Sequence, residues 1–109
     1  MLPVGTGAND VRTRLLRQAT EAGAHTPPVV AVSATVAPDA SLGPGAVVLE
    51  HAHVGPGSEL GRAVVVNTSA VVEHDCVVGD GAHVAPGAFL LGGSAAGTES
   101  LVGSGARVL

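Results

Sequence analysis

Aromatic residues are nearly missing from this chain: it has no tryptophan, no tyrosine and a single phenylalanine, Phe89. Any core must therefore be built from Val, Leu and Ala, and one ring makes no platform for stacked bases. Lysine is absent altogether and the formal net charge is −4, so the basic footprint of a nucleic-acid binder is missing too. The single cysteine, Cys76, permits no internal disulfide, which fits a reducing compartment. No apolar run reaches the roughly 18 residues of a membrane span, and the N-terminus lacks a basic-then-apolar leader pattern. These absences predict a soluble, cytoplasmic protein with neither nucleic acid nor membrane as partner.

What is present is enough for one small domain of 109 residues. Sixteen glycines and seven prolines accompany a 46% hydrophobic composition, which argues against simple disorder.

Counting in sixes from Val36 gives Leu42, Val48, Val54, Leu60, Val66, Val72, Val78, Val84, Leu90, Ala96, Val102 and Val108. All but Ala96 are Val or Leu. Four residues after each comes a small side chain, among them Ala46, Ala52, Ser58, Ala70, Cys76, Ala82, Ala88 and Ser94. A period of six is neither that of an amphipathic helix nor that of a long strand. It fits a short strand followed by a tight corner, repeated. Gly43-Pro44-Gly45, Gly55-Pro56-Gly57 and Ala85-Pro86-Gly87 supply the corner chemistry, with φ set by Pro and a positive φ taken by Gly. Three sides make a triangular coil of 18 residues, and coils stack at roughly 4.8 Å, so the stretch after Val36 yields about four coils. On this register Cys76 is a core residue, not a nucleophile.

The N-terminal part differs. Residues 10–22 read as one helix, capped by Asn9 or Asp10 and ended by Gly23, with Val11, Leu15, Ala19 and Ala22 on one face. Pro27-Pro28 separates it from a strand at Val29-Val30. The helix is expected to dock on the open N-terminal end of the solenoid, hiding exposed coil edges. Gly5 and Gly7 lack the third glycine of a dinucleotide loop and make a weak phosphate motif.

Folding the chain into coils stacks residues 18 apart. His74, flanked by Glu73 and Asp75, falls at an outward corner, with Pro56-Gly57 one coil before and Gly92-Gly93 one coil after. Either carboxylate can fix the imidazole tautomer and raise its basicity, and the two glycines leave bare backbone and room for a ligand above it. The residues alone leave a general base and a solvated surface histidine both open.

The repeat is the hexapeptide repeat, and "VNTSAVVEHDCVVGDGAHVAPGAFLLGG" (66–93) resembles the sugar acetyltransferases related to sialic-acid O-acetyltransferases and bacillosamine-pathway N-acetyltransferases. The resemblance implies an all-β, left-handed parallel β-helix preceded by one α-helix. Residues 1–28 would be a helix and linker, the remnant of a nucleotide-sugar-binding domain, and 29–109 the acyltransferase domain, truncated at both ends. It further implies acetyl transfer from acetyl-CoA to an amine or hydroxyl of a sugar or nucleotide sugar, in bacterial glycan biosynthesis. His74 would be the catalytic base and Asp75 its acidic partner; His83, Gly92 and Ser104 would contact acetyl-CoA, and Asn67 would shape the acceptor pocket. Assembly is expected to be a homotrimer, covering outward valines such as Val47, Val65 and Val71. The chain departs from the family in carrying Ala31 where "HPSA" places a histidine.

Two competing readings remain. One is a non-catalytic β-helix scaffold, which thermal shift with acetyl-CoA separates from an enzyme. The other is a zinc enzyme like γ-type carbonic anhydrase. The histidine intervals, two residues (51–53) and nine (74–83), do not match that class, so no metal is expected.

Overall fold

The computed structural model describes residues 9–109; Gly5 and Gly7 lie outside the described residues. The described part is one helix, α1 (Asn9–Glu21), followed by fourteen two-residue strands, β1 (Val29–Val30) to β14 (Arg107–Val108). Each strand pairs in parallel with the strand 18 residues away, as in Val47↔Val65 and Val71↔Phe89. Three sheets result: a first face of β1, β4 (Val47–Val48), β7 (Val65–Val66), β10 (His83–Val84) and β13 (Leu101–Val102), a second of β2 (Thr35–Val36), β5 (His53–Val54), β8 (Val71–Val72), β11 (Phe89–Leu90) and β14, and a third of β3 (Ser41–Leu42), β6 (Glu59–Leu60), β9 (Val77–Val78) and β12 (Ala95–Ala96). The molecule is a parallel β-helix of about four coils, as the repeat predicts, consistent with the left-handed form that the resemblance implies.

The six-residue register decides what is buried. Val48, Val54, Val66, Val72, Val84 and Leu90 are fully buried, and the small residues Ala46, Ala70, Cys76, Ala82 and Ala88 fill the inner side of the corners. A chain that turns every six residues has no room for rings inside, so a core of Val, Leu and Ala suffices. From Gly45 to Gly105 a positive φ recurs every six residues, at six glycines and at His51, Ala63, Ser69, Asp75 and Glu99. The Pro-Gly corners obey the turn chemistry, with Gly45, Gly57 and Gly87 at φ 71°, 72° and 71°.

Helix α1 ends as expected. Gly23 takes φ 85°, its N–H donates to the Thr20 carbonyl (3.0 Å), and the Ala24 N–H donates to Ala19 (2.9 Å). Its docking differs from the expectation. Arg12 Nη2 donates to the Gly81 carbonyl (3.2 Å), while the Leu16 methyls sit where a Cβ on Gly45 would be 3.0 Å away. Those partners lie two coils apart, so α1 runs along the side of the solenoid and not across its open end. The buried helix residues are Arg12 and Leu16, and Ala22 is exposed. Val65 points outward on the first face and yet is 2% exposed. Val65 is thus unavailable for subunit contacts, contrary to the sequence expectation. No described helix is long and apolar enough to cross a membrane.

Candidate active site

His74 sits on the corner between β8 (Val71–Val72) and β9 (Val77–Val78), joining the second and third faces. That corner is braced from inside. Ser58, one coil below, donates its hydroxyl to the Glu73 carbonyl (2.6 Å) and accepts from the Cys76 N–H (3.1 Å). Cys76 is buried, with its thiol 3.3 Å from the Leu91 carbonyl, which makes it packing and not a reactive group. From above, the Gly93 N–H donates to the His74 carbonyl (2.9 Å). The backbone at His74 is therefore fixed while its side chain is 60% exposed.

Of the two flanking carboxylates the structure pairs Asp75 with the imidazole: Asp75 Oδ2 lies 3.0 Å from His74 Nδ1. A carboxylate can only accept here, so Nδ1 carries the proton and Nε2 keeps its lone pair. Asp75 adopts φ 57°, a left-handed conformation that Asp tolerates better than most residues. Gly57, one coil below, is what lets that carboxylate lie there, since a Cβ on Gly57 would collide with Asp75 Oδ1. Gly92 plays the same part for the imidazole. A Cβ on it would collide with Nε2 and lie 2.6 Å from Cε1 and 2.9 Å from Cδ2. The space beside Gly92 is thus taken by the His74 ring itself, a correction to the expectation of a vacant slot there. The Gly92 N–H donates no backbone hydrogen bond among the described residues.

The other predicted site residues are elsewhere. Asn67 and Ser104 occupy the corner between the first and second faces, and His83 projects from β10 (His83–Val84) on the first face. His83 is 7% exposed and bonded to Asn67, with Asn67 Nδ2 3.1 Å from His83 Nε2. The Asn67 carbonyl oxygen accepts from the Thr68 N–H (2.8 Å), which turns the amide nitrogen toward the histidine. His83 Nε2 is consequently the acceptor and Nδ1 the protonated nitrogen, buried and without a partner among the described residues. Burial, and secondly the Arg12 guanidinium, lower the His83 pKa, so the ring is neutral at pH 7. One chain therefore holds two separated clusters, His74-Asp75-Gly92 on one corner and Asn67-His83 with Ser104 around another. The second face lies between them.

Sequence reasoning placed Gly57 one coil below His74 and Ser58 at a small corner position but gave neither a role, and it missed Arg12. The roles of Ser58 and Gly57 are legible in hindsight, each lying 18 residues before a site residue, Cys76 and Asp75. Arg12 against His83 carries no such signal, because it depends on where α1 docks. Of the remaining histidines, His53 Nδ1 is 2.6 Å from the Thr35 hydroxyl, and His51 lies on another corner. Among the described residues no three His, Cys, Asp or Glu side chains are grouped as metal ligands.

Solved structures share this fold. The acetyltransferase domain of PglB from Neisseria gonorrhoeae matches with a TM-score of 0.91 at 40% identity, over 93% of this chain and 49% of that one; it is also known in complex with acetyl coenzyme A. The chain is similar to acetyltransferases of the hexapeptide-repeat type. A second similar structure is perosamine N-acetyltransferase from Caulobacter crescentus, in a histidine-to-asparagine mutant with CoA and GDP-perosamine bound. It matches at TM-score 0.85 and 30% identity, over 94% of this chain and 58% of that one. This chain thus spans about half the length of the solved proteins it matches. No protein-family model matches it.

Proposed function

We propose that this protein transfers the acetyl group of acetyl-CoA to an amine or hydroxyl of a sugar or nucleotide sugar, with His74 as general base. The observation that carries this reading is the His74 imidazole, its Nδ1 proton engaged by Asp75 and its Nε2 lone pair held at the Gly92 edge. Nε2 takes the proton of the acceptor nitrogen or oxygen as that atom bonds to the thioester carbon. The carbon–sulfur bond then breaks, and the proton on the imidazolium passes to the departing CoA thiolate. Asp75 stabilises the imidazolium while it exists. The Gly92 N–H, with no backbone acceptor, suits the oxygen that becomes negative on the thioester carbon. The likeness to proteins solved with acetyl coenzyme A, or with CoA and GDP-perosamine, supports both substrates.

In this reading His83, Gly92 and Ser104 contact acetyl-CoA and Asn67 shapes the acceptor pocket, within an acyltransferase domain spanning 29–109. The protein acts as a cytoplasmic homotrimer. A neighbouring subunit would bring its Asn67-His83 edge to the His74 corner, joining two clusters that one chain keeps apart. Val77 and Leu101, 50% and 63% exposed, supply apolar surface for such contacts. The test is calorimetric and kinetic. Acetyl-CoA at about 100 times its Kd should stabilise the fold by about 2.7 kcal/mol, and thiol release should depend on an amino-sugar or hydroxyl acceptor. No shift and no acceptor-dependent thiol release would leave the scaffold reading.

A further inference from the structure

The chain holds five arginines and no lysine, so its means of binding a polyanion are few enough to place one by one. Arg12 is buried beneath α1, and Arg14 and Arg17 belong to the same helix on the first face. Arg62 sits on the corner between the third and first faces, where Asp80 Oδ1 accepts its backbone N–H (2.8 Å). Only Arg107 lies on the second face, the face between the two candidate clusters.

Arg107 is placed there by the register. The outward residues of the second face are Thr35, His53, Val71, Phe89 and Arg107, each stacked on the residue 18 before it. Val71 is three residues before His74, and Phe89 three before Gly92. Arg107 therefore lies two strands above the His74 coil, about 10 Å along the axis. Its guanidinium carbon is 5.4 Å from the centroid of Phe89, the only aromatic ring in the sequence. Stacking on a ring limits the conformers of a long exposed side chain and leaves the edge N–H donors of the fork free.

We propose that Arg107, steadied by Phe89, is a phosphate anchor for the ADP end of acetyl-CoA. The inference rests on the acetyl-CoA reading above and adds the position of the cofactor's charged end. A thioester at His74 and Gly92 leaves the phosphates a pantetheine arm away, which fits a cation two strands further up better than one beside the base. Guanidinium is also the group whose paired donors match phosphate oxygens.

The test compares wild-type protein with Arg107→Gln in equilibrium binding of acetyl-CoA, 3′-dephospho-acetyl-CoA and S-acetylpantetheine, which carries no phosphate. Loss of a charge-assisted contact should weaken acetyl-CoA about 10- to 100-fold and leave S-acetylpantetheine unchanged. If 3′-dephospho-acetyl-CoA is unaffected, the anchor holds the 3′-phosphate; if it weakens equally, the anchor holds the diphosphate. Equal acetyl-CoA affinity in the two proteins overturns the inference alone, as does an equal loss for S-acetylpantetheine, which would signal a packing role. Failure of wild-type protein to bind acetyl-CoA overturns the inference together with the functional reading.

Discussion

Replacing Gly92 by Ala adds one methyl group at the point where the structure leaves no space for it. The new Cβ would lie 2.6 Å from His74 Cε1 and closer still to Nε2, so one of the two must move. The backbone at residue 92 has an ordinary negative φ and accepts alanine; the imidazole, 60% exposed, is free to swing into solvent. Swinging out breaks the bond to Asp75, an exposed pair worth at most about 1 kcal/mol. The same substitution restrains the unfolded chain and returns about 0.4–1 kcal/mol. The two nearly cancel, so the melting temperature should stay within a few degrees of wild type. Turnover should not. A displaced base forfeits general-base assistance, a loss of about 10²–10⁴-fold. Gly93→Ala is the control: a Cβ there meets nothing within 4 Å, but φ is 74°, so it should cost about 1–2 kcal/mol of stability and spare the His74 ring. Thiol-release kinetics and thermal melts on the two variants make the assay. Full turnover in Gly92→Ala would refute the claim that His74 works from the position seen here.

Further outcomes follow from other parts of the structure. Val72→Asp puts a carboxylate at a fully buried core position and should prevent folding, seen as loss of the cooperative melt. His83 has its pKa lowered by burial and by Arg12, so its unfolded form binds the proton more readily. Stability should be fully present above about pH 6.5 and fall as the pH drops from there toward the lowered folded value. A melting series from pH 7.5 to about 5 should show that slope, and His83→Gln should flatten it. Asp75→Asn keeps the shape but not the charge, and should cost less turnover than removal of the imidazole. Sedimentation across micromolar concentrations should give a trimer, and a monomer throughout would oppose that assembly.

The coil was readable because a six-residue rule acts locally. Each inward Val or Leu, each small residue four places on, and each Pro-Gly corner reports the same geometry, so errors do not accumulate from Val36 to Val108. That register also carried His74 to an outward corner, set Asp75 beside it and put Gly92 one coil above. What it could not supply was anything decided between distant surfaces. The path of α1 depends on Arg12 reaching Gly81 and Leu16 filling the space at Gly45, contacts with no periodic signature. The approach of Arg12 to His83 depends on that path. The choice of Asp75 over Glu73 as the imidazole's partner rests on a left-handed φ at residue 75, which a list of neighbouring carboxylates does not show.

The most direct test of the central claim measures acetyl-CoA affinity and turnover on one variant, His74→Ala, beside wild type. The side chain is exposed and its corner is held by backbone and Ser58 contacts, so folding and acetyl-CoA affinity should persist. Turnover onto an amino-sugar or hydroxyl acceptor should fall by about 10²–10⁴-fold. Equal turnover in the two proteins would contradict the account, because it would take the proton from the acceptor without the one imidazole that this corner presents.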